Sequence, residues 1–310
     1  MIHKLIGLFK PRRALGGTGF KATRIGIGDL ADRKVALATC VATVHRAMDA
    51  GLNVIDTAPM YEDGYSEQIV GAAVKGRRER MFVIDKVDRL EAPVALQVNA
   101  SLKRMKLDHT DCFLFHAVDQ VRAWRWLAAP GGGMDQLGAC VRQGKTRFRG
   151  ISSHNPAVLT AAIGSGLCDA VMFPLGPNSN IAFVREVLPL ARRHGVGAIG
   201  IKAFGAGKFL GDTAGYNRPP AVRPRGKFSS GGTEASDAPR LPHMAVEECL
   251  GYMLTLDPDV ALLGLSYPNE QDVAFDAAAA FRPYSPRRMA AIRTCAATAI
   301  RGKGPSWWNP

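Results

Sequence analysis

The sequence predicts an α/β chain closed into a (β/α)8 TIM barrel, with an N-terminal β-hairpin and an extra C-terminal helix. Three observations carry this prediction. Eight short apolar, β-rich runs recur between about residue 23 and about residue 280, each followed by a longer amphipathic stretch. Strands that alternate with helices in this way build parallel sheets. The runs have few polar interruptions, as strands buried on both faces do. Eight such units in a chain of 310 residues are what a closed parallel barrel needs. An open doubly wound sheet shares the alternation and stays the alternative at the level of pattern.

The strand candidates are Arg24–Gly28, Asn53–Thr57, Met81–Lys86, Asp111–His116, Thr146–Ser152, Asp169–Pro174, Gly197–Lys202 and Val260–Leu265. The helix candidates between and after them are Lys34–Ala50, Tyr65–Lys75, Ala92–Met105, Met134–Gln143, Asn155–Ser165, Ile181–His194, Met244–Leu256 and Gln271–Phe281. Several end on glycine in the manner of helix C-termini, at Gly51, Gly144 and Gly195. Ahead of the first strand, ALGGTGFKATR reads as a hairpin capping the bottom of the barrel. A last helix over Pro286–Ile300 and the tail GKGPSWWNP fall outside the eight units. The whole chain, 1–310, is thus read as one barrel domain, with an N-terminal arm over 1–22 and a helix and tail over 286–310. Phe204–His243 breaks the rhythm, being rich in Gly, Pro, Ser and basic residues without any period. It follows the seventh strand, so in a barrel it hangs over the face that carries active sites and reads as a lid.

Hydrophobic residues make up 47% and charged residues 22%, the balance of an ordinary globular chain with a substantial core. The net charge of +13 comes from scattered pairs such as Arg77-Arg78, Arg192-Arg193 and Arg287-Arg288, without a long basic run or an aromatic-rich RNA signature. A basic surface that attracts anionic cofactors or substrates accounts for it, and no nucleic-acid partner is expected. The six cysteines lie far apart, form no CxxC pair and imply neither zinc nor an iron–sulfur cluster; no metal is expected. The N-terminal MIHKLIGLFKPRR is too short to span a membrane and lacks a small-residue cleavage site. A reduced, cytoplasmic protein without a membrane partner, monomeric or a small homo-oligomer, is the expectation.

In a barrel, catalytic groups come from the C-terminal ends of strands. Reading those ends gives Asp56, Lys86, His116 and the pair Ser152-Ser153, with Tyr61 five residues beyond Asp56. A carboxylate, an ammonium, a phenol and an imidazole on one rim suit proton transfer to an oxygen that develops negative charge. A free phenol, with a pKa of about 10, is a reluctant acid at neutral pH. An adjacent ammonium stabilises the phenolate, and a carboxylate behind the ammonium holds it charged and in place. An imidazole can hydrogen-bond the substrate oxygen and select its orientation.

These residues, in GLNVIDTAPMY, SEQIVG, DHTDCFLFH and GKTRFRGISSHN together with the strand-end Lys86, resemble the aldo-keto reductase superfamily, from about Leu15 to the last helix. The resemblance implies a catalytic tetrad of Asp56, Tyr61, Lys86 and His116. Tyr61 would be the general acid/base, tuned by Lys86 with Asp56, and His116 would position the carbonyl. It also implies a nicotinamide cofactor bound across the barrel mouth, NADP(H) favoured over NAD(H). Ser152 and Ser153 would hold the nicotinamide amide, and Lys202, Phe204, Gly205 and Gly207 in IKAFGAGKFL would run along the pyrophosphate. Ser266, Asn269 and Gln271 in LGLSYPNEQD would meet the adenosine end, and Trp124 and Trp126 would wall the substrate pocket. The chain departs from the family in three places. Asp85 stands before the lysine where a small hydroxyl residue is common, and alternation should point it away from Lys86. VMFPLGPN lacks the Gln and the aromatic residue that often flank the nicotinamide. The adenosine segment lacks the usual arginine and Glu-Asn pair.

Taken singly, most of these residues have plainer readings. Asp56 alone reads as a helix N-cap, His116 as a core histidine, and Lys86 as a snorkelling strand-end lysine. It is their joint occurrence with Tyr61 that carries the chemistry. Gly17-x-Gly19-x-x-Ala22 matches a dinucleotide fingerprint formally, but no buried strand precedes it. Gly131-Gly132-Gly133 has no following Lys-Ser/Thr to make a phosphate loop, and Arg218, Arg223, Arg225 and Lys227 read as a solvated loop face. The expected function is NAD(P)H-dependent interconversion of a small carbonyl and its alcohol. The alternatives are a cofactor-binding regulatory or redox-sensing barrel with little turnover, and an interaction protein that uses the basic surface.

Overall fold

The structure, a computed structural model, describes residues 12–28, 33–211, 241–304, 306, 308 and 309. A two-stranded antiparallel hairpin, β1 (Arg13–Ala14) and β2 (Lys21–Ala22), comes first. Eight parallel strands follow: β3 (Ile25–Gly28), β4 (Val54–Asp56), β5 (Phe82–Val87), β6 (Thr110–Phe115), β7 (Thr146–Ser152), β8 (Ala170–Pro174), β9 (Gly197–Ile201) and β10 (Val260–Gly264). They run in sequence order around a closed barrel, β10 pairing with both β9 and β3. That closure excludes the open doubly wound sheet. Each strand lies within a residue or so of its predicted run, and β7 coincides with it.

The helices are α1 (Leu37–Asp49), α2 (Tyr65–Val74), α3 (Val94–Met105), α4 (Val121–Ala128), α5 (Gly133–Arg142), α6 (Pro156–Gly164), α7 (Leu188–His194), α8 (Val246–Leu256), α9 (Pro268–Ala280) and α10 (Pro286–Ala299). Gly51, Gly144 and Gly195 all take positive φ beyond helix ends, as their positions predict. Several details differ from the sequence reading, among them α1, which starts three residues later than predicted. α4 was not foreseen, since RAWRWLA lies where a loop after the fourth barrel strand was expected. α9 starts three residues earlier than predicted, with Pro268 in its first turn, where its fixed φ and missing N–H fit. The predicted Ile181–His194 helix opens with a π turn over Phe183–Val187 before α7. Pro189 has no N–H for the carbonyl four residues back, and the widened turn accommodates that gap.

Two apolar layers hold the barrel. The inner one contains Val54, Phe82, Ile84, Cys112, Leu114, Met172, Ile199 and Leu262. At its bottom the hairpin inserts Leu15 and Phe20; the Phe20 ring meets Phe82 at a tilt, 5.1 Å between centroids, and Phe82 stacks on Phe148 at 6.1 Å. The hairpin therefore caps the barrel, as expected. The outer layer, between strands and helices, includes Ile55, Val83, Phe113, Ile151 and Phe173 with the inward faces of the helices. Of the long segment after the seventh barrel strand, 204–211 and 241–243 are described, while 212–240, including Arg218, Arg223, Arg225 and Lys227, lie outside the described residues, as do 1–11 of the N-terminal arm. Among the described residues no helix is long and apolar enough to cross a membrane.

Candidate active site

Strand alternation delivers the site. On β5, Phe82 and Ile84 face the barrel interior, so Lys86 does too; on β4 the same parity carries Val54 to Asp56. On β6 it runs from Cys112 and Leu114 to His116, and on β7 from Phe148 and Gly150 to Ser152. Side chains that fill the barrel with hydrocarbon at the bottom thus become polar at its C-terminal mouth. Gly28 at the end of β3 leaves the space next to Asp56, since a Cβ there would lie 3.3 Å from both Asp56 Cβ and Oδ2.

Lys86 is completely buried and Asp56 nearly so. The Lys86 ammonium forms an ion pair with the Asp56 carboxylate and donates to the Thr57 carbonyl at 2.9 Å. Its Nζ lies 5.7 Å from the centroid of the Tyr61 ring. The ring of His116 meets Tyr61 edge to face, with centroids 5.8 Å apart at 82°. The four tetrad residues thus come together in the order Asp56, Lys86, Tyr61, His116. The phenol and imidazole are half-buried at the mouth, and the ion pair lies beneath them. A buried ammonium with a carboxylate partner keeps its charge against desolvation, and that charge favours an adjacent phenolate.

The backbone around these groups is strained in a consistent place. Among the described residues, seven non-glycines have positive φ. Lys106 and Asp257 end helices α3 and α8. The other five sit beyond strand ends at the mouth: Glu62 and Asp63 just after Tyr61, Ala117 just after His116, and Lys202 and Ala206 after β9. Left-handed non-glycine residues cost roughly 1 kcal/mol or more each and persist where the surroundings hold them, characteristically at functional sites.

The segments expected to meet a cofactor occupy the same face. Ser152 and Ser153 are buried at the end of β7. The Ser152 hydroxyl oxygen accepts the Ala117 N–H at 2.9 Å, which leaves its hydrogen to donate. Ser153 is bound to the following turn, accepting the Asn155 N–H at 3.0 Å and donating to Asp119 at 3.3 Å. From Lys202 to Leu210 the chain makes successive tight turns with positive φ at Lys202, Gly205, Ala206 and Gly207. At Gly205 a Cβ would come within 2.8 Å of the Phe209 ring, so the turn needs glycine there. A hydroxyl donor at one strand end and a tightly turned, lysine-bearing loop at another make a donor set that fits a dinucleotide carboxamide and diphosphate. At the start of α9, Glu270 accepts the Ser266 and Tyr267 N–H groups at 2.9 and 3.2 Å. Asn269 is exposed on its first turn. Gln271 is fully buried and donates to the Thr43 carbonyl at 2.9 Å, so its side chain faces the helix layer. Trp124 is buried in the outer apolar layer and Trp126 is exposed on α4.

Sequence reasoning missed two carboxylates. Asp88, two residues past Lys86, lies 2.6 Å from His116 Nδ1 through Oδ1 and accepts the Met60 N–H at 2.8 Å through Oδ2. Continuing the parity of Phe82, Ile84 and Lys86 by one more step would have found it. Asp119 gathers the turn after β7, accepting the His154 N–H at 2.6 Å and facing His154 Nδ1 at 3.0 Å, while its carbonyl accepts the Asn155 side chain at 2.9 Å. Burial raises its pKa, but the His154 hydrogen bonds outweigh this and hold it below the usual carboxylate range. Asp119 lies in a loop whose path the sequence does not give. Among the described residues no group of His, Cys, Asp and Glu could hold a metal ion.

The sequence profile of the aldo/keto reductase family matches residues 22–253. Over 118 residues the chain is 36% identical to the methylglyoxal reductase YeaE of Escherichia coli, covering 37% of this chain and 39% of that one. Over 220 residues it is 27% identical to the L-galactose dehydrogenase of Arabidopsis thaliana, covering 63% of this chain and 66% of that one. The matches therefore span about two fifths of the first relative's length and just under two thirds of the second's. Among solved structures, an aldo-keto reductase of Bacillus halodurans in its holo form is similar with a TM-score of 0.67 at 21% identity, over 94% of this chain and 99% of that one. An aldo/keto reductase of Klebsiella pneumoniae in complex with NADP and acetate gives 0.65 at 21% identity, over 91% and 94%. At that identity the likeness is one of fold. A family profile that takes in β3 to β9, on a closed barrel whose mouth gathers Asp56, Tyr61, Lys86 and His116, makes the chain a member of the aldo-keto reductase family of oxidoreductases.

Proposed function

We propose that the protein reduces a small aldehyde or ketone to its alcohol, or runs the reverse reaction, with NADP(H) favoured over NAD(H) and Tyr61 as the general acid/base. The observation that supports this most is the buried Lys86 ammonium, paired with Asp56 on one side and facing the Tyr61 ring on the other. Relatives named as a methylglyoxal reductase and an L-galactose dehydrogenase support a small oxygenated substrate. A structural neighbour in complex with NADP supports the cofactor.

Ser152 and Ser153 would hold the carboxamide of the cofactor, the turns of Lys202, Phe204, Gly205 and Gly207 its diphosphate, and Ser266 and Asn269 its adenosine end. When bound, that cofactor supplies or accepts the hydride. The chain's own residues handle the proton. As charge grows on the carbonyl oxygen, the Tyr61 phenol donates to it. Lys86 stabilises the phenolate left behind, and Asp56 keeps the ammonium charged and fixed. His116, at the edge of the Tyr61 ring, orients the oxygen between the two rings. In the oxidative direction the phenolate takes the alcohol proton.

A cofactor-oxidation screen over aldehydes, ketones, quinones and sugars, run with NADPH and NADH in parallel, identifies the substrate and the preference. Titration of tryptophan fluorescence should show binding in the micromolar range; no binding of either nucleotide removes the reading. Tyr61→Phe keeps the ring and deletes the proton. Single-turnover hydride transfer should fall about two to four orders of magnitude, the usual worth of general acid catalysis, with cofactor affinity nearly unchanged. Near-normal rates would move the proton donor elsewhere.

A further inference from the structure

We propose that Asp88 is a positioning residue for the reaction, whose carboxylate fixes the tautomer of His116 and the chain that carries Tyr61. The proposal rests on the function proposed above, and it concerns a residue outside the tetrad. One oxygen of Asp88 meets His116 Nδ1 at 2.6 Å and the other accepts the backbone N–H of Met60, next to Tyr61, at 2.8 Å. A single carboxylate on the β5 loop thus ties the segment after β4 to the ring at the end of β6. Both side chains are largely withdrawn from solvent, at 17% exposure for Asp88 and 16% for His116. The loop does not need Asp88 to hold itself. Gln97 on α3 accepts the Arg89 N–H at 3.0 Å and donates to the Arg89 and Ala92 carbonyls at 2.9 and 3.2 Å. What Asp88 holds is the pair of rings.

The chemical consequence follows from hydrogen count. A carboxylate has no hydrogen to give, so the proton of this contact belongs to His116 Nδ1. A neutral His116 then presents its other nitrogen, Nε2, as a bare acceptor. Such a ring accepts a hydrogen bond from an alcohol hydroxyl but gives none to a carbonyl oxygen. To donate to a carbonyl oxygen, the neutral ring would have to carry its proton on Nε2 instead. The charged groups around the pair are Lys86 and Asp56 behind Tyr61, and Arg104, whose guanidinium feels Asp88 at longer range. By fixing the tautomer, Asp88 therefore sets which of the two substrates, alcohol or carbonyl, a neutral His116 can hydrogen-bond. Without it the imidazole is free to place its single proton on Nε2 and to serve a carbonyl while neutral.

The test reads the ring nitrogens directly. The full-length protein, labelled with 15N-histidine, is recorded about two units above the free-histidine pKa of about 6.5. His116 is assigned among the seven histidines by loss of its signals in His116→Gln. In the wild type Nδ1 should resonate as a protonated, pyrrole-type nitrogen. In Asp88→Ala, and in the similarly shaped Asp88→Leu, it should become pyridine-type. Both variants should also lose about tenfold more turnover in alcohol oxidation than in carbonyl reduction, with melting temperatures close to the wild type. An unprotonated Nδ1 in the wild type, or a protonated Nδ1 retained in both variants, overturns the proposal. The spectra need no substrate, so an inactive wild type would count against the proposed function, whereas an active one with an unchanged tautomer would count against Asp88 alone.

Discussion

Two neighbouring residues of β5 carry opposite charges to opposite faces of the barrel wall. Lys86 turns inward and finds a full set of partners: the Asp56 carboxylate, the Thr57 carbonyl and the face of Tyr61. Asp85 turns outward, beneath α2 and α3, and is equally buried. Its Oδ1 accepts the Lys86 N–H at 2.7 Å, but its Oδ2 has no hydrogen-bond partner. The nearby cation is taken, for Arg104 forms a two-point ion pair with Glu67. Burial and then the charge of Glu67 push the Asp85 carboxyl well above the usual carboxylate range. The inner charge is matched by its partners; the outer carboxyl is not, and its ionised form is disfavoured. Burial alone therefore does not mark a reacting group. What separates the two is whether the surroundings satisfy the ionised form and aim it at something.

The sharpest way to break this contrast is on the inner face. Lys86→Met should lower single-turnover hydride transfer by about two to four orders of magnitude, about 3–5 kcal/mol in barrier. It should also destabilise the fold by about 3 kcal/mol, because Asp56 is left buried without its partner. Stopped-flow kinetics and urea melts measure the two separately. A variant that turns over normally would mean that the ammonium serves the fold and not Tyr61.

A smaller effect is expected on the outer face. Glu67→Gln removes the carboxylate from the Arg104 pair. Glu67 is fully buried, but the Arg104 side chain is about one-third exposed and can turn to water. The loss should therefore fall between a buried and a surface pair, about 2 kcal/mol in urea melts, with turnover unchanged. A loss of rate comparable to Lys86→Met would show that the two faces are not independent.

The inner face was also the more legible one. Period-two alternation fixes which residues of a buried strand look inward, so the four strand ends carrying Asp56, Lys86, His116 and Ser152 could be read directly. It equally placed Asp85 outward, where the structure has it. Alternation does not say what meets Asp85 there, because Glu67 and Arg104 arrive from α2 and α3, and helix packing is a long-range outcome. The same limit explains Asp88 and Asp119, whose partners lie 28 and 35 residues away in sequence. It also bears on Gln271, which the family resemblance put at the adenosine end and whose amide donates to the Thr43 carbonyl of α1.

The smallest expected effect has the most telling sign. Asp85→Asn keeps an oxygen for the Lys86 N–H and replaces a carboxyl of raised pKa with an amide that carries no charge. A carboxyl whose pKa is raised by folding leaves the native state unpenalised only while it is protonated in both states. Below the unfolded value of about 3.9, folded and unfolded chains both hold the proton, and Asp85 contributes no pH dependence. As pH rises above that value the unfolded chain ionises freely while the folded one does not, and stability is lost until the folded carboxyl titrates in turn. Asp85→Asn lacks this loss. It should therefore be more stable than the wild type at neutral pH by about 1 kcal/mol, the scale of one unsatisfied buried polar group. The gap should close as the melts are taken down towards pH 4. Turnover should not change, since the side chain faces away from the mouth and its hydrogen bond is to the backbone N–H of Lys86. In a Glu67→Gln background the gain should shrink, because the charge of Glu67 is the second cause of the raised pKa. If Asp85→Asn instead destabilises at neutral pH and the difference vanishes only in acid, Asp85 is ionised in the folded protein. The outer face would then be a balanced network like the inner one, and the contrast along β5 would fail.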